Sequence, residues 1–191
     1  MKIQLYILIF FSSVLFLSCE NNSKYEDFEL HSLKATLQLP ISYKVVNDKG
    51  ISAVINKVED SQFRSQLLSL LKQNPEDILL VDTLNPYYYI LISDITPSIE
   101  IDSNSFYYII DKERLKSCTE PKIDSTYYVG SKMGESNGIK FIESKYLRYD
   151  NKKRQRIGHV FLLTSEQTTT AISFFSPEEQ NATKYIETIK K

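Results

Sequence analysis

The chain has 191 residues, with 23 basic and 24 acidic side chains and a formal charge of −1 at pH 7. This balance gives no indication of a surface for nucleic acid or for an anionic membrane face, and we expect neither contact. The length suits one domain of ordinary size, able to bury roughly 70% of the surface that its unfolded chain exposes.

The first 18 residues have the organisation of a secretory signal peptide. Lys2 supplies a positive charge, residues 3–17 are almost wholly apolar, and the small Ser18 precedes Cys19. The apolar run of about 15 residues is shorter than the ~20 residues that a membrane-spanning helix needs. We therefore expect residues 1–18 to be removed from the mature protein.

The sequence around the expected cleavage site, "FFSSVLFLSCEN" at residues 10–21, resembles the lipobox of bacterial lipoproteins. One difference is Phe16, at a position where that family usually has leucine. The resemblance implies that Cys19 is diacylated on sulfur and becomes the new N-terminus, so that acyl chains hold the protein to a membrane of the bacterial cell envelope, at the periplasmic face or in the outer membrane. Each buried methylene of such a chain contributes ~0.8 kcal/mol to membrane binding. The alternative is an ordinary signal peptide followed by an incidental cysteine.

Residues 19–32 comprise Cys19 and a polar, acidic stretch without a sustained period, which predicts a tether. Fully extended, this tether spans ~45 Å. The domain then covers residues 33–191. Once Cys19 is acylated, Cys118 has no second cysteine to pair with, so we expect no intrachain disulfide.

The first half of the domain mixes strand and helix patterns. In the first strand the apolar positions alternate with polar ones, as they do in a half-buried strand. The helix has a capping residue at its start and Asn74-Pro75 at its end. The predicted elements are a strand at 33–39, a second strand at 51–58, a helix that begins at Asp60 or Ser61, and a hairpin of strands 78–84 and 87–93.

The second half predicts a helix, four antiparallel strands and a closing helix. These elements are a segment at 104–117, which we read as a helix although its Tyr-Tyr-Ile-Ile core also suits a strand, then strands at 126–132, 139–149, 156–164 and 168–175, and a helix over 176–191. In the closing helix Ser176 can cap the first turn, Pro177 suits the first helical position, and Glu179 completes a capping box. Its apolar face consists of Ala182, Tyr185, Ile186 and Ile189.

This order of elements, with the first strand closed by "LPISYKV", resembles the PsbP-like superfamily over roughly residues 33–191. Pro40 followed by Tyr43 is similar to the proline-then-aromatic step at the front of that fold, whereas the segment 75–125 departs from it. The resemblance implies an α+β fold, a single domain with a mostly antiparallel β-sheet packed against helices that include the C-terminal helix. It also implies an accessory role, because members of this superfamily act mostly as accessory or assembly factors that bind other proteins.

Patterns typical of catalysis or metal binding are weak. His159 lies in a predicted strand on the same face as Ile157 and Phe161, which favours a core histidine over a catalytic base or ligand. No cysteine, acid or second histidine stands at a metal-ligand spacing from His159, so we expect no metal and no cofactor. Ser69 and Lys72 match a Ser-x-x-Lys pattern, but the companion motifs of that enzyme class are missing.

The chain is unusually rich in tyrosine: it has 13, with consecutive tyrosines at 87–89, 107–108 and 127–128. Successive side chains of a strand face opposite ways, so each run leaves a ring outside the core unless a second layer covers it. Such rings favour recognition, and Tyr88, Tyr108 and Tyr128 are therefore candidate partner-binding residues. Strand propensity and cover by a helix explain the same residues equally well.

The sequence thus favours a lipid-anchored, monomeric and non-catalytic envelope protein that binds or stabilises an envelope protein partner. The alternative is an envelope hydrolase that uses His159 together with acids that are distant in sequence and meet it only in space.

Overall fold

A seven-stranded antiparallel sheet forms the centre of the computed structural model, which describes residues 24–46, 54–74, 76–95, 98–119, 125–149, 155–165 and 168–191. Its strands have the spatial order β3-β4-β5-β9-β8-β7-β6, and β1 and β2 form a separate antiparallel pair. The strands are β1 (Tyr25–Leu30), β2 (Ala35–Pro40), β3 (Tyr43–Val45), β4 (Ile78–Asp82), β5 (Tyr89–Ile95), β6 (Ser125–Ser136), β7 (Ile139–Tyr149), β8 (Gln155–Ser165) and β9 (Thr168–Ser176). The helices are α1 (Ser61–Gln73), α2 (Ser103–Thr119) and α3 (Thr183–Ile186).

Strands β6 to β9 are consecutive antiparallel neighbours, which confirms the four predicted strands. The turn between β6 and β7 is formed by Asn137 (φ 49°) and Gly138 (φ 75°). Two successive positive φ angles match the twist of the flanking strands in a two-residue hairpin turn. This tight turn fixes the register of β6 on β7 and so places polar side chains of the two strands opposite each other.

One face of the sheet is covered by the β1–β2 pair and by the C-terminal segment. Leu37 and Leu39 of β2 pack into the same core as Phe161 and Phe174 of the sheet, and all four are fully buried. The end of the chain is joined to β2 by two backbone hydrogen bonds, from Thr36 N to Lys190 O (2.7 Å) and from Lys190 N to Thr36 O (3.0 Å). The first and last segments that the structure describes therefore close the same core.

The opposite face is covered by α1. Asp60 caps this helix as predicted, because its Oδ1 accepts hydrogen bonds from the backbone N–H groups of Gln62 (3.0 Å) and Phe63 (3.2 Å). Phe63 and Leu67 of α1 are fully buried in a second core with Val81 and other residues of β4 and β5. The predicted hairpin corresponds to β4 and β5, and the helix predicted at 104–117 corresponds to α2.

The prediction of an irregular polar tether is wrong from Tyr25 onward. Residues 25–30 form β1, and His31–Leu33 form a short 3₁₀ turn that leads into β2. The polar pattern misled because β1 pairs on one side only and exposes most of its side chains, whereas Leu30 and Leu33 are buried. Cys19 itself lies outside the described residues.

Two further predictions are corrected. The strand predicted at 51–58 is absent from its described part: Lys57 N bonds to Val54 O and Val58 N to Ile55 O, and these are turn contacts that bury Ile55 and Val58 against α1. Residues 51–53 lie outside the described ranges.

The closing helix is shorter than predicted, and Ser176 does not cap it. The Ser176 hydroxyl donates to the Glu178 carbonyl (2.6 Å), and helical structure is limited to α3, because the following residues leave the helix to reach Thr36. The predicted apolar face is nevertheless buried as a unit: Ala182, Tyr185, Ile186 and Ile189. None of the helices in the described ranges is both long and apolar enough to cross a membrane.

The two glycines of β6 provide a matched test of this packing. A Cβ on Gly134 would lie 2.5 Å from the Phe141 ring, whereas a Cβ on Gly130 would have no atom within 4 Å. We expect Gly134→Ala to lower the free energy of unfolding by ~1–3 kcal/mol, because the ring must move out of a packed core. Gly130→Ala should change it by no more than about 0.5 kcal/mol. Urea denaturation of residues 20–191 measures both, and equal effects of the two substitutions would contradict this packing.

Candidate functional site

A buried carboxylate and a buried imidazole, from Glu143 of β7 and His159 of β8, form a pair in the sheet. Glu143 is opposite Phe161, and His159 is opposite Lys145, so Glu143 and His159 are diagonal neighbours on the face covered by the C-terminal segment. Their side chains are only 7% and 6% exposed. His159 Nδ1 lies 2.7 Å from Glu143 Oε1, which is the separation of a strong hydrogen bond.

The second oxygen of Glu143 has two further donors. Lys132 Nζ of β6 lies 2.9 Å from Glu143 Oε2, and the Thr183 hydroxyl of α3 donates to the same oxygen at 2.9 Å. Burial by itself would raise the pKa of Glu143, but the hydrogen bonds from Lys132, His159 and Thr183 outweigh burial and hold the pKa below its ordinary value. Glu143 is therefore ionised at neutral pH.

The ionised carboxylate orients the imidazole of His159. An ionised carboxylate can only accept hydrogen bonds. His159 Nδ1 therefore carries the proton and donates a hydrogen bond to Glu143 Oε1. His159 Nε2 is buried and has no hydrogen-bond partner among the residues that the structure describes. It points toward Glu179 Oε1 at 3.6 Å, which is too long for a hydrogen bond, and Glu179 Oε2 is paired with Lys145 Nζ at 2.6 Å.

These side chains line a cleft of about 250 Å³ between the sheet and the C-terminal segment. The residues of the cleft are Lys132, Glu143, His159, Glu179, Gln180, Asn181, Ala182 and Thr183. Most of these residues have polar side chains, and both carboxylates are paired with a lysine: Glu143 with Lys132 and Glu179 with Lys145. No group of acids, histidines and cysteines in the described ranges could hold a metal ion. The cleft can hold a polar group or place His159 as a general base.

The structure places the three predicted partner-binding tyrosines in separate regions. The Tyr88 hydroxyl donates to the Glu178 carboxylate, and burial together with this hydrogen bond raises the pKa of Tyr88 to about 12. The Tyr128 hydroxyl donates to Ser131 Oγ (2.7 Å) on β6. Tyr108 is 66% exposed on α2, beside Tyr107 at 64%. Because β9, β8 and β7 separate β5 from β6, Tyr88 and Tyr128 do not share a surface.

Sequence reasoning identified His159 but missed its acid partner. Glu143 follows Ile139 and Phe141 in the inward register of β7, and an acid at such a position is the one signal that pointed to a buried pair. The contributions of Lys132, Glu179 and Thr183 depend on strand order and on the path of the C-terminal segment. No pattern in the sequence contained that information.

Comparison with known proteins shows the fold. No protein-family model matches the chain, and no curated protein matches it. A crystal structure from Bacteroides thetaiotaomicron VPI-5482 is 9% identical with a TM-score of 0.51, over 87% of this chain and 48% of that one, so the chain spans about half its length. The solution structure of cyanobacterial PsbP (CyanoP) from Synechocystis sp. PCC 6803 is 10% identical with a TM-score of 0.50, over 91% of this chain and 96% of that one.

The chain therefore has a PsbP-like fold, in which a mostly antiparallel sheet is combined with a few helices in a single domain. This confirms the fold class that the order of elements predicted. At these identities the similarity describes the fold alone and carries no residue of the cleft from one protein to another.

The buried pair makes the stability of the protein sensitive to acid. A carboxyl whose pKa is lower in the folded than in the unfolded state stabilises the fold above its unfolded pKa, and this stabilisation is lost as the pH falls through the folded pKa. We expect Glu143→Gln to lower the free energy of unfolding by ~1–3 kcal/mol at neutral pH. The loss between neutral pH and about pH 3 should be smaller in the variant than in the wild type.

Urea denaturation across this pH range measures the effect. Glu135→Gln is the matched control, because Glu135 is exposed on β6. An acid dependence that Glu143→Gln leaves unchanged would contradict the role of Glu143.

Proposed function

We propose that this protein is a lipid-anchored, non-catalytic protein of the bacterial cell envelope that binds an envelope protein partner. The anchor is Cys19, supported by the sequence "LFLSC" after an apolar run and by the polar residues that follow it. The PsbP-like fold adds support, because the resemblance to that superfamily implies an accessory role. The structural observation that carries the binding role is the exposed aromatic pair on α2.

This pair consists of Tyr107 and Tyr108, which are 64% and 66% exposed. Their exposure does not follow from strand alternation, since α2 is a helix and both rings lie away from the two cores. Lys112 Nζ lies 6.0 Å from the centre of the Tyr108 ring. Two exposed tyrosines at consecutive helical positions, one with a cation near its ring, match the composition of the energetically important centres of protein interfaces.

Anchoring is tested by labelling cells with a fatty-acid analogue. The wild-type protein should incorporate the label and fractionate with membranes, because acyl chains on Cys19 partition into the bilayer. Cys19→Ser should lose both properties, while Cys118→Ser, which removes the other cysteine, should keep both. If Cys19→Ser labels and fractionates as the wild type does, the lipoprotein proposal is wrong.

Partner binding is tested by a photo-crosslinking amino acid at position 108 in cells. A crosslinked adduct of defined mass should form there and should be absent when the same amino acid replaces Lys72, an exposed residue of α1. Alanine at both Tyr107 and Tyr108 should weaken capture of the partner about tenfold or more. The fold should be unaffected, because both rings are exposed. Equal adducts at 108 and 72, or capture that survives the double substitution, would contradict this surface.

A hydrolase is the second candidate, and the observation that favours it is the Glu143–His159 pair. A carboxylate that holds Nδ1–H leaves Nε2 able to accept a proton, which is the arrangement of a general base. Against it, Nε2 faces the Glu179 carboxylate, and no hydroxyl of the described residues donates to it.

Incubation with isolated envelope fragments separates the two candidates. A general base contributes 10²- to 10⁴-fold to a rate, so an enzyme would release products that His159→Gln abolishes. Products that depend on His159 would overturn the non-catalytic proposal.

A further inference from the structure

Three exposed apolar residues lie near one another along the backbone at the end of the β1–β2 pair. Tyr25 is 44% exposed, Ile41 51% and Leu84 85%. We call this group the apolar tip. Single exposed apolar residues are ordinary on protein surfaces, but a cluster of them marks a contact surface.

Backbone pairing and hydrogen bonds that involve adjacent residues place the three members of the tip near one another. Tyr25 of β1 is opposite Pro40 of β2, and Ile41 N donates to Lys24 O at 3.1 Å. On the other side of Ile41, the Ser42 carbonyl accepts from Thr83 N (2.8 Å) and from Thr83 Oγ1 (3.0 Å). Residue 84 therefore lies beside residue 41, and residue 41 beside residue 25.

The turn that carries Leu84 is well ordered by hydrogen bonds. Leu84 N donates to Asp82 Oδ1 (2.8 Å), and Tyr88 N donates to Asn85 O (3.0 Å). These bonds fix the backbone on both sides of Leu84 while its side chain stays in solvent. The exposed position of Leu84 therefore follows from the backbone conformation of the turn.

The apolar tip lies where the chain enters the domain from Cys19. Lys24, whose carbonyl accepts from Ile41, is the fifth residue after Cys19, so the two are at most about 18 Å apart. A domain of this size is roughly 40 Å across. A protein held at Cys19 can therefore bring this end to the membrane surface, while the far end cannot replace it.

The charges around the tip indicate an apolar and not an electrostatic contact. Lys44 Nζ is paired with Glu26 Oε1 at 2.8 Å, and the Asp82 carboxylate accepts from the backbone of the turn. Lys24 is exposed beside the tip and adds one positive charge. A segment that attracts anionic lipid carries about four to eight basic residues.

We propose that the apolar tip inserts into the interfacial layer of the membrane that carries the acyl anchor. Tyr25 is suited to this layer because an aromatic ring with a hydroxyl favours the headgroup level, and the aliphatic Ile41 and Leu84 are suited to its apolar side. The inference rests on the proposed anchor at Cys19. It adds a second contact, so the anchored domain has a preferred orientation on the membrane.

The test uses the full-length acylated protein with Cys118→Ser, so that an introduced cysteine is the one free thiol. Leu84→Cys carries a polarity-sensitive fluorophore, and Glu135→Cys on β6 carries the same fluorophore as the control. The proteins are reconstituted into phosphatidylethanolamine vesicles with and without phosphatidylglycerol, and flotation of the vesicles first reports whether the protein is anchored.

The fluorophore at position 84 should shift to the blue and be quenched by brominated lipid, equally with and without phosphatidylglycerol, while the fluorophore at 135 should report water. Adding Tyr25→Ser and Ile41→Ser should abolish the response at 84. A response that survives both substitutions comes from the fluorophore alone and overturns the inference.

Protein that floats while position 84 reports water overturns the insertion of the tip and leaves the anchor intact. Protein that fails to float overturns both. A blue shift that appears without vesicles and grows with protein concentration would assign the tip to a second copy of the chain and overturn the inference.

Discussion

The candidate site depends on the stacking of Tyr185 on Phe174. The two rings lie 5.6 Å apart at an angle of 11°, and Phe161 meets the other side of this cluster with its edge toward Phe174 (5.7 Å, 85°). Aromatic pairs of this kind add to the burial of their large surfaces, which fixes the C-terminal segment on the sheet. The same segment brings Glu179 and Thr183 to the cleft. The polar site therefore exists because an apolar contact beside it holds a short helix in place.

The buried carboxylate of Glu143 is not explained by stability alone. Removing a carboxylate from water costs several kcal/mol, and a well-packed apolar pair at such a position is often as stable as an ion pair. Here Lys132, His159 and Thr183 offset the cost by donating to its two oxygens. Phe141 and Phe161 occupy equivalent inward positions nearby, so an apolar residue could fill this place as well. A charged group at this position therefore requires all three donors, and removing any one of them leaves part of that cost uncompensated.

The parts of the fold that were predicted are those fixed by local chemistry. The Asp60 cap and the four strands β6 to β9 rest on short-range signals, and both are confirmed. The parts that failed depend on distant partners. β1 has little apolar pattern because it pairs only with β2, and the closing helix stops early because the chain end bonds to Thr36. Glu143 and His159 are 16 positions apart and meet only through the register of β7 on β8.

The position of β1 also changes what the proposed anchor does to the domain. A tether to residue 32 would let the domain move freely, but β1 begins at Tyr25, which leaves five residues between Cys19 and the first strand. Any pull on the anchor then reaches the Tyr25–Pro40 pair and the bond from Ile41 N to Lys24 O before it reaches the buried Leu30. Among the described strands, β1 and β2 pair only with each other, so no further strand of that two-stranded sheet shares the load. Contact between the apolar tip and the membrane would support the domain at the same end, so that the Tyr25–Pro40 pair does not carry the whole force.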